Sequence, residues 1–424
     1  MSRYNHIASD LQATCKGHSL PRNLYVSDAA FRFDTQVMLK SVWLYACTVA
    51  HVKNAGDWFV FELAHNSIIV VRGRDQQVRA FWNTCRHRGA RICEDQRGRA
   101  ARLTCPYHQW SYGLDGALLA ARSMAGDFSK ADNGLVPVAL ENIGGLIFLC
   151  LSDNPPPISR VKADIVDQIA AYDLEKCKVA VQDNLVENAN WKLVMENNRE
   201  CYHCDAGHPE LTGVLGTYGF GKGLAKDGMA QDGAGDVVDV VDDQTFDAMV
   251  AAKRAQWQQL GIHRDLIEFP DGWWHRVARL PLANGAVTQS IDGKLACAKL
   301  IGPFTEPESS SLSVWTQPNS WHHFCCDHVV TFSLTPLSAD RSLLRTSWLV
   351  HEDAVEGVDY DPDHLAALWR TTNDQDGRFS MLNHQGIMTD GYRPGRYAVE
   401  EKLVDDFKQF YVDRARFALE GMAG

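Results

Sequence analysis

The chain has 424 residues, 45% of them hydrophobic, so it can bury a sizeable core, and its length allows two or three domains. With 53 acidic against 42 basic residues the net charge is −11, which argues against a nucleic-acid partner, since that requires a basic face to neutralise phosphates, and against an anionic membrane surface. No apolar run reaches the length of a membrane span and Met1-Ser-Arg-Tyr-Asn-His6 has no apolar signal core, so a cytoplasmic location is expected, where 12 Cys and 16 His point to metal chemistry or catalysis rather than to a disulfide framework.

In chain order, residues 1–38 are expected to form an N-terminal segment packed on the body. Residues 39–155 read as short strands. Trp58-Phe-Val-Phe61, Ser67-Ile-Ile-Val-Val71 and Val78-Arg-Ala-Phe-Trp82 alternate with Gly, Asn and Asp turns, and Ile143–Leu151 reads as one buried strand. Asn154-Pro-Pro-Pro157 interrupts the chain and suits a domain boundary. In residues 156–424 the pattern predicts helices at 161–173 and 190–205, strands at 295–303, 310–317, 328–335 and 342–350, and a helical region over 361–420. The Gly- and Asp-rich stretch 221–243 lacks the ligand spacing of an EF-hand and reads as a solvated flap.

The strongest local signal is Cys85-Arg-His87, then 17 residues, then Cys105-Pro-Tyr-His108. Two thiolates and two imidazoles suit zinc, and they are also the ligand set of a Rieske [2Fe–2S] centre, with Cys₂ on one iron and His₂ on the other. Three features favour the cluster. Each loop offers one Cys and one His, the loops sit among short strands, and Pro106, Tyr107 and Trp110 supply a rigid apolar cover.

The second signal is Glu196-Asn-Asn-Arg-Glu200-Cys-Tyr-His203-Cys-Asp-Ala-Gly-His208-Pro-Glu210. Residues five apart differ by about 140° on an ideal helix, so His203 and His208 share an ion only if the helix ends between them, where Gly207 and Pro209 supply a break. Two His completed by one carboxylate make the facial triad of non-haem iron(II) oxygenases, which leaves positions open for O₂. Cys201 and Cys204 have the spacing of a redox dithiol but no thioredoxin-like surroundings, and read as small packing residues.

Cys85-Arg-His-Arg-Gly89 and Cys105-Pro-Tyr-His-Gln-Trp110, followed about a hundred residues later by the His pair, resemble the Rieske non-haem iron oxygenases, the ring-hydroxylating oxygenase alpha-subunit family. The resemblance implies an α+β chain: an all-β Rieske domain plus an α+β catalytic domain whose antiparallel sheet is flanked by helices, a helix-grip, START-like arrangement. It implies that Cys85, His87, Cys105 and His108 hold [2Fe–2S], and that His203, His208 and an acid before Gln385-Gly386 hold mononuclear Fe(II). Asp376 fits that place, with Asp374 the alternative. Most relatives carry an Asp that bridges to the next subunit's cluster where this chain has Glu200, which is expected on the same helical face as His203.

Glu200 and the Cys201-Tyr-His-Cys204 text are similar to the group that acts on quaternary ammonium compounds, glycine betaine monooxygenases and proline betaine (stachydrine) demethylases. The implied reaction is N-demethylation of glycine betaine to dimethylglycine and formaldehyde, with O₂ as co-substrate and electrons from a separate reductase that handles flavin and NAD(P)H. A homotrimer is implied. The alternatives are proline betaine, choline, carnitine or aromatic-ring oxidation, a zinc hydrolase, and a Rieske electron carrier without enzymatic activity. Trp273, Trp274, Trp315, Trp321 and Phe324 are the aromatics available for a cation–π cage.

Overall fold

The computed structural model describes residues 4–215, 243–262, 267–268 and 274–421. Three short helices open the chain, α1 (Asn5–Gln12), α2 (Arg22–Val26) and α3 (Asp28–Phe33). Ten strands follow: β1 (Leu44–Thr48), β2 (Asp57–Leu63), β3 (Asn66–Arg72), β4 (Val78–Trp82), β5 (Arg97–Arg99), β6 (Leu103–Thr104), β7 (Ser111–Tyr112), β8 (Leu118–Ala120), β9 (Ala139–Ile143) and β10 (Leu146–Cys150). They form three small antiparallel sheets, β4-β3-β2-β5, β6-β7-β8 and β1-β10-β9. The run Ile143–Leu151 is not one strand. Gly144 (φ 59°) and Gly145 (φ 95°) turn the chain between β9 and β10, a two-residue hairpin that requires positive φ at both positions.

The rest of the chain builds one seven-stranded antiparallel sheet. Its elements are α4 (Ser159–Ile169), β11 (Cys177–Glu187), α5 (Trp191–Asn197), α6 (Cys204–Gly207), α7 (Pro209–Thr212), α8 (Asp243–Gln259), β12 (Ile267–Glu268), β13 (His275–Pro281), β14 (Ser310–Thr316), β15 (Ser320–Phe324), β16 (Val329–Ser338), β17 (Arg341–His351), α9 (Pro362–Met388) and α10 (Lys402–Gly421). The strand order is β11-β17-β16-β15-β14-β13-β12. This is the expected α+β arrangement of an antiparallel sheet flanked by helices.

Register assigns the two faces. Arg276, Trp315, Trp321, Phe332, Thr346 and Asp183 pair across the sheet in one row. Directly paired residues point to the same side, and α9 covers that side. Asn373 donates to Thr346 Oγ1 (3.0 Å), Arg370 pairs with Asp183 (2.7 Å), and Trp369 packs on Phe332 and stacks on His323. The opposite face meets the small sheets. His322 lies edge-on to Tyr45 of β1 (4.5 Å), and Arg345 lies over Phe59 of β2. Asn319, in the β14–β15 turn, clamps β1 by accepting from Tyr45 N (3.0 Å) and donating to Tyr45 O (3.1 Å).

Two further expectations are corrected. Residues 295–303 form no strand, because the backbone N–H groups of Ala296 and Cys297 are taken by the buried Asp327 carboxylate and only one isolated bridge, Cys297 to Tyr360, forms. The region 361–420 is two helices, separated by a loop containing Gly391, Pro394 and Gly395. Residues 216–242, which carry most of the expected flap, lie outside the described residues.

The N-terminal segment is tied to the body by a fully buried ion pair. Asp34 accepts from Lys192 Nζ (2.5 Å), Trp191 Nε1 (3.0 Å) and Tyr411 Oη (2.9 Å), linking the segment to α5 and α10. Removing one member strands a buried charge. Asp34→Ala is expected to lower the unfolding free energy by about 3–5 kcal/mol, measured by denaturant unfolding against the parent chain.

Candidate metal centres

Two loops at the tip of the small sheets match each other. In the first, Gly89 N donates to Cys85 O (2.9 Å) and Cys85 N to Ala90 O (2.8 Å). In the second, Gln109 N donates to Cys105 O (3.1 Å) and Cys105 N to Trp110 O (2.8 Å). The fifth residue of each loop has positive φ, Gly89 at 77° and Gln109 at 61°. Each turn therefore presents a buried thiol at its start and an imidazole two or three residues later. The His87 and His108 rings lie 4.6 Å apart, and His87 stacks on Trp110 at 4.8 Å. Cys85 Sγ is 3.3 Å from Tyr112 Oη. His87 Nδ1 is buried and has no hydrogen-bond partner, which fits a ring nitrogen that ligates a metal. Burial holds the Cys105 thiol above its ordinary value, with Cys85 adding to the shift.

The second centre lies between α9 and the segment joining α5 to α7. His203 Nε2 is 3.0 Å from His208 Nε2, and Asp376 Oδ1 is 3.2 Å from the first and 2.9 Å from the second. The four-residue α6 supplies the change of direction, with His203 before it and His208 after it. Asp374 is exposed. Burial pulls the His203 imidazole down, but Asp376 and Glu200 outweigh it and carry it from 6.5 to about 9. His208 is raised by Asp376 against the same desolvation, and the two His hold the Asp376 carboxyl below its ordinary range against burial.

The far nitrogens of both rings are held. Glu200 Oε1 meets His203 Nδ1 at 2.5 Å, and Gln375 Oε1 meets His208 Nδ1 at 2.7 Å, while Gln375 Nε2 donates to Glu210 Oε2 (2.9 Å). Such bonds fix ring orientation and aim both Nε2 atoms at the same point. Gln375 and Glu210 were not singled out from the sequence. Their only signal was adjacency, Gln375 to Asp376 and Glu210 to the His208 turn. Phe379 packs on both rings (5.7 and 6.1 Å), and a Cβ on Gly207 would lie 2.7 Å from it. Glu187, at the end of β11, was also missed. It is buried, has no hydrogen-bond partner among the described residues, and is pushed up to about 8 by burial and then by Asp376.

Two expectations about this segment are corrected. Glu200 is not on a helix that continues to His203, because α5 ends at Asn197. The carboxylate instead folds back through a turn and accepts from Tyr202 N and His203 N as well as from the ring. Cys201 and Cys204 are not independent packing residues, since they are joined as a disulfide. Of the aromatic candidates, Trp315 and Trp321 lie on the α9 side of the sheet. Phe324 points to the other face, against Tyr172, Trp274 packs on Phe148, and Trp273 lies outside the described residues. Arg199 and Arg276 each lie over the Trp315 ring, at 4.8 and 4.9 Å. On the Glu200 side of His203 there is a cavity of about 450 Å³, lined in part by Tyr25, Glu196, Asn197, Phe379 and Tyr397.

Residues 174–416 match the ring hydroxylating alpha subunit (catalytic domain) family, and residues 42–136 match the Rieske [2Fe-2S] domain family. The chain belongs to the ring-hydroxylating oxygenase alpha-subunit family. It is 40% identical over 409 residues to the glycine betaine monooxygenase oxygenase subunit of Pseudomonas aeruginosa (strain UCBPP-PA14), covering 96% of this chain and 91% of that one. The Chromohalobacter salexigens protein of the same description is 39% identical, with 96% and 88% covered. The fold is similar to that of a quaternary ammonium Rieske monooxygenase solved with L-carnitine (TM-score 0.66, 18% identity, 95% and 97% covered) and to naphthalene 1,2-dioxygenase from Rhodococcus sp. (TM-score 0.57, 15% identity, 97% and 98% covered). The oxygenase's cofactors are a Rieske cluster and a mononuclear iron, with O₂ as co-substrate. Among the described residues no helix is long and apolar enough to cross a membrane.

The raised His203 value has a measurable consequence. In metal-free protein its stabilisation is fully present below the ordinary imidazole value of 6.5 and is lost as pH rises through about 9. A divalent ion bound by this triad must displace the proton. Uptake of Fe²⁺ or Co²⁺ by chelator-treated protein near neutral pH is therefore expected to release protons, and affinity to rise with pH. A pH-stat titration checks both, and proton-neutral uptake would contradict the assignment.

Proposed function

We propose that the oxygenase N-demethylates a quaternary ammonium compound, with glycine betaine converted to dimethylglycine and formaldehyde. The observation that carries this is identity of 40% along nearly the whole chain to proteins described as glycine betaine monooxygenase oxygenase subunits. Carnitine is the second reading, supported by 33% identity over 199 residues to the carnitine monooxygenase oxygenase subunit of Escherichia coli (strain K12).

His203, His208 and Asp376 would hold the mononuclear iron, and Cys85, His87, Cys105 and His108 the cluster. We take residues 39–155 as the electron-accepting unit and 156–424, with 1–38 packed on it, as the catalytic unit. Together the two metal groups supply electron transfer and the activation of O₂ that hydroxylates an N-methyl carbon. The N-hydroxymethyl product then loses formaldehyde. The chain's own part is positioning and exclusion of water. Glu200 and Gln375 orient the two imidazoles, and Phe379 shields them.

Electrons would cross between subunits of a homotrimer. Among the described residues no hydrogen bond or ring contact joins the two centres within one chain. The His108 ring is exposed, beside Tyr107 at 58% exposure. Glu200 uses three of the roughly four acceptor positions of a carboxylate, which leaves room for a bond to the partner subunit's His108. A head-to-tail ring satisfies every such contact. A separate cytoplasmic reductase carrying flavin and using NAD(P)H would supply the electrons.

The deciding assay is formaldehyde release from a panel of glycine betaine, proline betaine, choline and carnitine, with a reductase supplied. Glycine betaine is expected to be turned over fastest, and absence of release from every quaternary ammonium compound would sink the proposal. His203→Ala and Asp376→Ala should each lose the mononuclear iron and keep the cluster's colour, whereas Asp374→Ala keeps both, as read by metal analysis. Glu200→Gln should retain both metals and slow oxidation of the pre-reduced cluster by about 10–100-fold, read by stopped-flow absorbance. An unchanged rate in metal-replete protein would remove the bridging role.

A further inference from the structure

Residues 198–203 join α5 to α6, belong to no helix or strand, and carry both Glu200 and His203. Contacts from outside must therefore set where this segment lies, and Arg199 makes them. Its side chain is fully buried. Arg199 Nε and Nη2 donate to Gln317 Oε1 (3.4 and 3.3 Å), Nη2 also donates to Ser320 O (3.3 Å), and Nη1 donates to Asn198 Oδ1 (2.5 Å). Three of these four bonds end on one turn, Gln317 to Ser320, between β14 and β15. Arginine is an unfavourable residue to bury here. Among the described residues its acceptors are all neutral, and a second guanidinium, that of Arg276, lies over the same Trp315 ring. Burial and then Arg276 pull Arg199 down from 12.5 to about 9. A methionine or leucine would fill the volume without desolvating a charge. What the guanidinium adds is a planar fork that fixes distance and angle to its acceptors.

We propose that Arg199 is the positioning residue for Glu200: by gripping Gln317 and Ser320 it holds the 198–203 segment so that the Glu200 carboxylate stands where the partner subunit's His108 can reach it. The inference rests on the reading that Glu200 bridges to a cluster. Among the described residues Arg199 makes no hydrogen bond to Glu200 or to any of the seven metal-binding side chains. It acts through the backbone that it anchors, one residue before Glu200.

The gripping turn also reaches the cluster-bearing unit of its own chain. Asn319 stands between the two acceptors of Arg199 and clamps Tyr45 of β1 (3.0 and 3.1 Å). The turn itself is tied into the sheet, with Gln317 N donating to Trp274 O (2.7 Å) and Leu334 N donating to Asn319 O (2.9 Å). One short turn therefore holds the Glu200 segment through Gln317 and Ser320 and holds β1 through Asn319. In a head-to-tail ring each chain offers its cluster to one neighbour and its Glu200 to the other. Such a ring closes only if these two ends keep a fixed relation within the chain, and the turn sets that relation.

The test uses full-length protein with both metals loaded. Arg199→Met keeps the bulk and removes the fork, Arg199→Lys keeps only the charge, Gln317→Ala removes the acceptor, and Gln317→Glu supplies a stronger one. Stopped-flow oxidation of the pre-reduced cluster, with glycine betaine and O₂ present, should slow by about tenfold or more in the first three and stay near the wild-type rate in Gln317→Glu. Iron content, cluster potential and affinity for glycine betaine should stay unchanged. The double variant Arg199→Met, Gln317→Ala should be no slower than either single one, because both break the same contact. Hydrogen exchange should quicken over residues 198–203 in Arg199→Met, and over both that segment and β1 in Asn319→Ala. Wild-type rates in iron-replete Arg199→Met and Gln317→Ala would overturn the proposal, as would additive slowing in the double variant. Loss of iron in step with the rate would make Arg199 merely structural and overturn it too. Quickened exchange in β1 alone for Asn319→Ala would remove the link to the cluster-bearing unit. Glu200→Gln separates the two levels: a normal rate there removes the bridging reading, whereas a slow Glu200→Gln beside normal Arg199 and Gln317 variants removes only this inference.

Discussion

Three donor atoms, two from one short segment and one from a helix 168 residues further along the chain, stand about 3 Å apart, and the catalytic half is organised around keeping them there. Two imidazole nitrogens and a carboxylate oxygen do not gather unaided in a partly buried pocket, because their charges are desolvated. Without metal they share protons, which is why His203 is raised while Asp376 is lowered. The arrangement survives because each ring is held from behind, by Glu200 on one side and by Gln375 with Glu210 on the other, and because Gly207 leaves room for Phe379 against both.

Asp376 can reach the pair only if α9 is seated correctly, and the sheet does the seating. Asn373 bonds to Thr346, Arg370 pairs with Asp183, and Trp369 stacks on His323, so the helix is registered on three strands before its acid meets the imidazoles. The buried Asp34–Lys192 pair performs the corresponding task for α5, which leads into the His203 turn. Polar groups buried in this way cost desolvation, and what they contribute is a single allowed placement.

The sheet also separates the two kinds of chemistry. Its α9 face packs against the helix that carries Asp376, while its other face is occupied by β1 and β2 through Tyr45, Asn319 and Arg345. The tip with His87 and His108 is turned to solvent, where another subunit or a reductase can approach it. The turn that places Glu200 against the His203 ring also holds the Cys201–Cys204 disulfide.

Donor identity was legible in the sequence wherever the spacing is local. Cys85-Arg-His87 and Cys105-Pro-Tyr-His108 each form one closed turn whose backbone bonds depend on few other residues, and the need for a break between His203 and His208 followed from helix geometry. The strands at 310–317, 328–335 and 342–350 were legible because β-rich runs bounded by turns mark them out. What depended on distant neighbours was not. Residues 295–303 have strand-like composition, but Asp327 takes their N–H groups. Glu200 follows a helical pattern, but the helix stops at Asn197. Asp376 was preferred over Asp374 only by its resemblance-based place before Gln385-Gly386, and it is the seating of α9 that brings Asp376 to the imidazoles and leaves Asp374 exposed. Cys201 and Cys204 have a spacing open to several readings, and the turn alone brings their sulfurs together. The sequence by itself determined which chemical groups are present and in what local order, because those are covalent facts. Tertiary structure decided which of them converge, because convergence depends on packing between segments more than a hundred residues apart.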